Sequence, residues 1–185
     1  MCYSHKIYKM KKLSLLAIIL LAICTVTMAQ PRAIGGRLSY SLGASYQHQI
    51  GSKNMLQADL DLLGYWWGGQ GTATFNWIFP IKEWDLCALN WYAGVGVGGG
   101  YRWGTYNRYY PLIWEHSNWN HYGFLGVAGM VGFECNFKFP LQLSVEYRPV
   151  FGPMFNRYSG VLDFYYDGFF TTALAFSVRY KFGGK

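Results

Sequence analysis

Apolar and polar residues alternate one by one along most of the chain after residue 30. In residues 171–182 every second residue is apolar or large, and the residues between them are small or charged. Residues 55–63, 125–137 and 141–151 show the same alternation. A repeat of two is typical of β-strands, in which successive side chains point to opposite faces. The pattern predicts an all-β protein whose strands each have one apolar and one polar face.

Turn-forming sequences divide the alternating stretches into eight strands. Short turns are predicted at residues 51–54, 82–85 and 138–140, and long connections at residues 104–120 and 152–168. The predicted strands span residues 33–41, 43–50, 55–65, 71–80, 86–103, 121–137, 141–152 and 169–182. The boundary at residues 41–43 rests on parity, because a single strand over residues 33–50 would give seven strands, and bacterial single-chain barrels have an even number.

Composition indicates which face of each strand points outward. The chain has 23 glycines and 20% aromatic residues, a composition that favours strands and turns over helices. The interior of an eight-stranded barrel is filled by side chains, so the smaller polar faces fit inside and the large apolar faces fit against lipid. We therefore expect an eight-stranded antiparallel up-and-down transmembrane β-barrel. The alternative is a soluble lipocalin-like binding barrel, with its aromatic residues packed inside.

Aromatic residues cluster at both ends of the predicted strands. Those near the long connections are Trp66, Trp67, Tyr101 and Trp103, and those near the short turns are Trp77, Phe79, Trp84, Phe137, Phe139, Tyr180 and Phe182. Two such bands are typical of membrane–water interfaces.

The N-terminal segment predicts a secretory signal peptide. Four lysines precede an apolar run, and Thr27 and Ala29 are the small residues expected before a cleavage site. Cleavage after Ala29 leaves residues 30–185 as one barrel domain and lowers the formal net charge from +7 to +3. No basic cluster remains, so we expect no nucleic-acid partner. A retained membrane anchor and lipidation at Cys24 are the alternatives.

The terminal strand TALAFSVRYKF, together with the signal peptide and the eight alternating strands, resembles the small outer-membrane barrels of the OmpX and OmpA-transmembrane type. The resemblance implies a location in the cell outer membrane, with the short turns and both mature termini in the periplasm. It also implies outer-membrane lipid, lipopolysaccharide and the barrel-assembly machinery as partners. The assembly signal would fall on Tyr180 and Phe182. Members serve as anchors, adhesins and evasion factors, and a few modify lipids.

The inward faces carry charges of both signs. They belong to Arg37, Asp59, Asp61, Arg102, Glu134, Glu146, Arg148, Arg179 and Lys181. A desolvated charge without a partner is very costly, so we expect an ion-pair network that fills the lumen; a conducting pore is the alternative. Glycines at alternate positions of residues 94–100 leave one wall without side chains. Packing against long residues such as Arg37 and Arg179 explains this wall, and a small ligand cavity is the alternative.

The long connections are rich in Tyr, Trp, Asn and Arg, the residue types common at recognition surfaces. The recognition candidates are Tyr106, Arg108, Tyr109, Tyr110, Trp114, Tyr158, Tyr165 and Tyr166. The same loops could instead pack together as a cap over the barrel mouth. Glu115, His116 and Ser117 weakly resemble the catalytic set of lipid A deacylase barrels, but neighbouring residues of an extended chain point to opposite faces. We predict a structural or recognition role for the loops, with an extracellular ligand as a candidate partner and without enzymatic activity, cofactor or metal. A lipid-modifying outer-membrane enzyme of the lipid A deacylase kind is the alternative. Sequence alone does not show whether Cys87 and Cys135 are bonded.

Overall fold

The structure is a computed structural model that describes residues 32–63, 68–107, 118–156, 163–166 and 173–183. Its strands are β1 (Arg32–Leu38), β2 (Leu42–Ile50), β3 (Asn54–Leu63), β4 (Gly68–Glu83), β5 (Cys87–Asn107), β6 (Asn118–Phe137), β7 (Leu141–Tyr147), β8 (Val150–Asn156), β9 (Asp163–Tyr166) and β10 (Leu174–Phe182). Across these residues there is no helix long and apolar enough to cross a membrane.

The strands close into an eight-stranded antiparallel barrel, which confirms the prediction of an all-β protein with this strand number and pairing. Strands β1 to β6 pair in chain order, β7 and β8 both pair with β6, and β10 pairs with β7 and with β1. The ten described strands occupy eight positions around the barrel. β7 and β8 follow one another along the same position beside β6, and β10 and β9 follow one another along the next position, beside β7 and β8. Closure places Phe182 opposite Arg32, so the two described ends of the barrel domain lie side by side.

The structure corrects several predicted boundaries. The predicted strand 141–152 is interrupted after Tyr147, because Pro149 has no N–H to donate to a ladder. Its carbonyl still accepts a hydrogen bond from the Gly129 N–H at 3.0 Å, so β6 runs past the interruption without a change of register. The β1–β2 boundary is confirmed as a split but lies at residues 39–41.

The long connections are also shorter than predicted. Strand β5 continues to Asn107 and β6 begins at Asn118, and the two remain paired to these ends. The predicted connection 152–168 overlaps most of β8 and contains β9, and these two strands pair as a hairpin. Pairing between neighbouring strands satisfies backbone groups that an extended loop would leave to solvent. Sequence patterning did not detect these extensions because they contain few alternating apolar residues.

Strand β10 shows how the two faces are used. The side chains of its large apolar residues are between 37% and 59% exposed. The residues between them, Ala175, Ser177 and Arg179, are buried inside the barrel. The same alternation holds around the barrel. The exposed large side chains include Ile34, Leu38, Leu42, Leu56, Leu60, Leu62, Val95, Val97, Leu125, Val127, Val131, Phe133, Val145, Leu174, Phe176 and Val178. The outer surface is therefore apolar, and much of the interior is polar.

Aromatic residues lie on the outer surface near both ends. At the end that carries the turns 51–53, 84–86 and 138–140, which we call the short-turn end, the exposed residues include Trp77, Phe79, Trp84, Trp91, Phe139, Tyr180 and Phe182. Tyr101 and Trp103 are exposed near the opposite end and stack at 6.2 Å between ring centroids. Trp66 and Trp67 lie outside the described residues.

The glycines of β5 and β6 make room for large side chains inside the barrel. A Cβ added at Gly132 would lie 2.5 Å from Cζ of Tyr92, and one at Gly100 would lie 2.7 Å from Cζ of Phe124. The space beside Gly98 holds Val150. Packing therefore explains the glycine wall, but the occupants named from sequence, Arg37 and Arg179, are wrong. The side chains that fill it come from β4, β5, β6 and β8, and their contacts depend on a register that composition does not reveal.

We expect Gly132→Ala to destabilise the barrel. The added methyl would displace the buried Tyr92 ring, whose hydroxyl donates a hydrogen bond to Glu146. Overpacking of this kind costs about 1–3 kcal/mol. The free energy of unfolding in urea would measure the effect.

Gly36→Ala is the matched control, because a Cβ at Gly36 meets no atom within 4 Å. We expect it to leave the unfolding free energy nearly unchanged. Equal costs for the two substitutions would contradict the packing of Tyr92 on Gly132.

Candidate functional site: the charged barrel interior

Six charged side chains meet at the middle of the barrel interior. We call them the central charge cluster: Arg37, Asp59, Asp61, Glu146, Arg148 and Arg179. They come from β1, β3, β7, β10 and the break between β7 and β8. Each is at most 3% exposed. The strict alternation of the strands brings them inward, and barrel closure brings β1 and β10 next to each other.

The ion pairs form a connected set. Asp61 accepts from Arg37 Nη1 at 2.8 Å and also from Arg148, and Asp59 accepts from Arg148 Nη1 at 2.7 Å. Glu146 forms a hydrogen-bonded ion pair with Arg179. Its Oε2 also lies 3.5 Å from Arg37 Nε, which is close enough for an ion pair but makes no hydrogen bond. Arg37 thus links the Asp61 side of the cluster to the Glu146 side.

Neutral side chains complete the coordination of Glu146. Tyr92 Oη donates to its Oε1 at 2.9 Å, Ser144 Oγ donates to the same oxygen at 2.7 Å, and Gln57 Nε2 donates to Oε2 at 3.0 Å. Glu146 therefore accepts hydrogen bonds from β3, β5, β7 and β10, on several sides of the barrel.

Ser45 on β2 and Thr72 on β4 connect two further strands to the cluster. The Ser45 hydroxyl donates to Asp59 Oδ1 at 2.5 Å and accepts from Arg179 Nε at 2.9 Å. Thr72 on β4 accepts a hydrogen bond from Arg148. The cluster and its neutral partners thus involve β1, β2, β3, β4, β5, β7 and β10, while β6 contributes the glycine surface under Tyr92.

The charges of the central charge cluster balance, three positive against three negative. Buried ions are retained only when their partners compensate for lost hydration. Here each carboxylate faces at least one guanidinium, which compensates the charges, while Arg37 Nη2, Asp61 Oδ1 and Arg148 Nε have no hydrogen-bond partner among the described residues. The arrangement acts as a polar core that cross-links the wall.

The other predicted lumen residues lie apart from this cluster. Glu134 is buried toward the short-turn end and accepts from the side-chain amides of Asn90 at 3.0 Å, Asn136 at 2.7 Å and Gln142 at 2.7 Å. Lys181 Nζ donates to the Phe137 carbonyl at 2.5 Å. Arg102 is half-buried toward the opposite end, where it lies opposite Gly68 and Tyr122.

Sequence reasoning missed that part of the interior is apolar. One cluster contains Tyr122, Phe124, Ala128, Val150 and Met154, and a second contains Met55, Ile78, Tyr92 and Met130. The expectation that polar side chains fill the lumen is therefore wrong for these layers. The positions of Phe124 and Met130 could have revealed them, because both alternate in step with the inward Gly126 and Gly132 of β6.

Cys87 and Cys135 form a disulfide between β5 and β6, with their Cα atoms 5.9 Å apart. The register explains the contact, because Cys135 lies opposite Leu89, two residues from Cys87 on the same face. The bond links the two longest strands near the short-turn end. Disulfides of this kind persist in oxidising compartments.

Most recognition candidates cannot be placed. Arg108, Tyr109, Tyr110, Trp114 and Tyr158 lie outside the described residues, as do Glu115, His116 and Ser117. The backbone of Tyr106 pairs with Trp119, and those of Tyr165 and Tyr166 pair with Gly152 and Phe151. The described ranges contain no cluster of three His, Cys, Asp or Glu side chains able to hold a metal ion.

Removing one member of an ion pair should destabilise the barrel strongly. Arg179→Met leaves Glu146 without its hydrogen-bonded guanidinium, and breaking a buried pair costs about 3–5 kcal/mol. We expect Glu146→Gln and Arg179→Met together to cost less than the sum of the two single changes, by about 0.5–3 kcal/mol. Urea unfolding of the four proteins would measure this coupling.

Lys53→Gln provides the control for removal of a charge at an exposed turn. We expect it to change the unfolding free energy by less than about 0.5 kcal/mol. Strict additivity of the Glu146 and Arg179 changes would show that the two side chains do not interact.

No family model matches the chain, and no curated protein matches it. The structure shows a small, closed, eight-stranded antiparallel β-barrel.

Proposed function

We propose that this protein is an outer-membrane β-barrel of the OmpX and OmpA-transmembrane type, without enzymatic activity, whose outer loops serve a structural or recognition role. The observation that carries the proposal is the inverted distribution of polarity. The charges are buried in the interior, while Leu60, Val97 and Leu125 on the outer wall are at least 60% exposed. Water-soluble monomers rarely expose a continuous apolar surface of more than a few hundred Å².

The order of side chains along the barrel axis supports a bilayer around it. Aliphatic residues dominate the middle of the outer wall, and tryptophan, tyrosine and phenylalanine lie toward its ends. Aromatic side chains are favoured at both interfaces of a bilayer because their rings are apolar and their polar atoms reach water. The predicted signal peptide and the Cys87–Cys135 disulfide fit export into an oxidising compartment.

The lipocalin-like alternative is less compatible with these contacts. On a soluble binding barrel, the outer face is either polar and in contact with water, or apolar and covered by other elements of the protein. The described exterior has neither, and the centre of the interior is occupied by six mutually paired charges.

A recognition role would use the end opposite the short turns. There β5 and β6 remain paired to Asn107 and Asn118, beyond the last pairing of β5 with β4 at Arg102. This hairpin carries the connection that contains Tyr109, Tyr110 and Trp114. We propose that these loops contact an extracellular ligand, with lipopolysaccharide and outer-membrane lipid around the wall. The exposed Tyr180 and Phe182 would be read by the barrel-assembly machinery.

Gel mobility of the outer-membrane fraction would test this proposal. A closed barrel that resists detergent should migrate as a compact, faster band until it is boiled. We expect the protein in that fraction and a shift to slower migration on heating. Recovery of the protein in the soluble periplasmic fraction, with no dependence on detergent, would refute the outer-membrane location.

A further inference from the structure

The short-turn end of the barrel contains a cavity of about 480 Å³, which we call the short-turn pocket. It lies below the central charge cluster and is open on one side, and its size is in the range of small-ligand sites. Its lining includes Arg32, Lys138, Lys181, Glu134, Gln142 and Phe139. The cations outnumber the anion three to one among these residues, whereas the central charge cluster is neutral.

Among the residues that the structure describes, one carboxylate lines the pocket, and side-chain amides already bind it. Both oxygens of Glu134 accept hydrogen bonds from side-chain amides, two at Oε1 and one at Oε2. These bonds occupy three of the about four acceptor sites of the carboxylate and leave little of it for an incoming cation. The lysines and Arg32 therefore set the charge preference of the pocket, which favours an anion.

Gln142 adds a second requirement. Its Nε2 donates to Glu134, but its Oε1 is buried and accepts no hydrogen bond from the described part of the chain. A buried acceptor without a partner costs about 1–3 kcal/mol. A ligand that supplies an O–H or N–H donor to this oxygen would remove that cost.

We propose that the short-turn pocket binds an acidic saccharide. Its carboxylate would contact Lys138 and Lys181, a hydroxyl would donate to Gln142 Oε1, and Phe139 offers an apolar surface for a sugar face. Hydroxyl groups both donate and accept, which matches the side-chain amides of Gln47, Gln49, Asn90 and Asn136 along the same wall. The site is distinct from the outer loops and exists whatever surrounds the barrel.

Calorimetric titration of the full mature chain, folded in a zwitterionic detergent, would test the pocket. The probe is digalacturonate, and its dimethyl ester, with both carboxylates esterified, is the uncharged counterpart with the same hydroxyls. We expect digalacturonate to bind, with an affinity that falls as salt is raised, and the ester to bind at least about tenfold more weakly.

Two charge reversals make a matched pair. Lys138 and Lys53 are both exposed turn residues at the short-turn end, but only Lys138 lines the pocket. Because both lie in turns, both variants should fold, which the heat-dependent gel shift would verify. We expect Lys138→Glu to raise the Kd about tenfold and Lys53→Glu to change it less than about twofold.

Three results would overturn the proposal. They are the absence of digalacturonate binding at millimolar concentration, equal binding of the ester, and equal weakening by Lys138→Glu and Lys53→Glu. Equal weakening by the two substitutions would show that digalacturonate is attracted to the positive charges of the short-turn end in general and does not bind a defined site.

Discussion

Charge pairing inside a closed wall is the constraint on which this structure depends. Arg37, Arg148 and Arg179 are held away from water, and each is stable there only because a carboxylate lies within reach. Those contacts join strands that are distant in sequence: Gln57 and Arg148, for example, contact partners 89 residues away. The ion pairs therefore favour one register of the barrel, since a shift by one residue would turn every charge outward.

The same constraint accounts for the composition of the remaining interior. A narrow barrel that holds three arginines and a tyrosine at its centre has little further space, and glycines on β5 and β6 provide it. Large apolar residues are then left for the outer wall. The many glycines and the many exposed aromatic residues thus follow largely from the limited interior volume, in which Tyr92, Tyr122 and Phe124 are the aromatic rings that pack inside among the described residues.

How far the sequence predicts this arrangement depends on the range of the interaction. Period-two alternation is local, so it identified the strands and placed Asp59, Glu146 and Arg179 inward. Partners across the barrel depend on register and closure, which alternation does not encode. This is why the disulfide stayed undecided, why the residues beside the glycines were wrongly named, and why Glu134 was not separated from the central charge cluster. Pro149 interrupts the hydrogen-bond ladder at the break between β7 and β8, but apolar and polar residues still alternate across it. The alternation alone therefore predicts one continuous strand.

The central claim is that the outer wall faces lipid while the interior excludes it. Spin labels placed one at a time along β10, at Leu174, Phe176 and Val178 for the outward face and at Ala175 and Ser177 for the inward face, would test it directly. The native cysteines of the mature chain are bonded to each other and would not react. The account predicts that oxygen, which concentrates in lipid, relaxes the outward labels and that a water-soluble nickel complex does not. Outward labels relaxed by the nickel complex in membranes would contradict it.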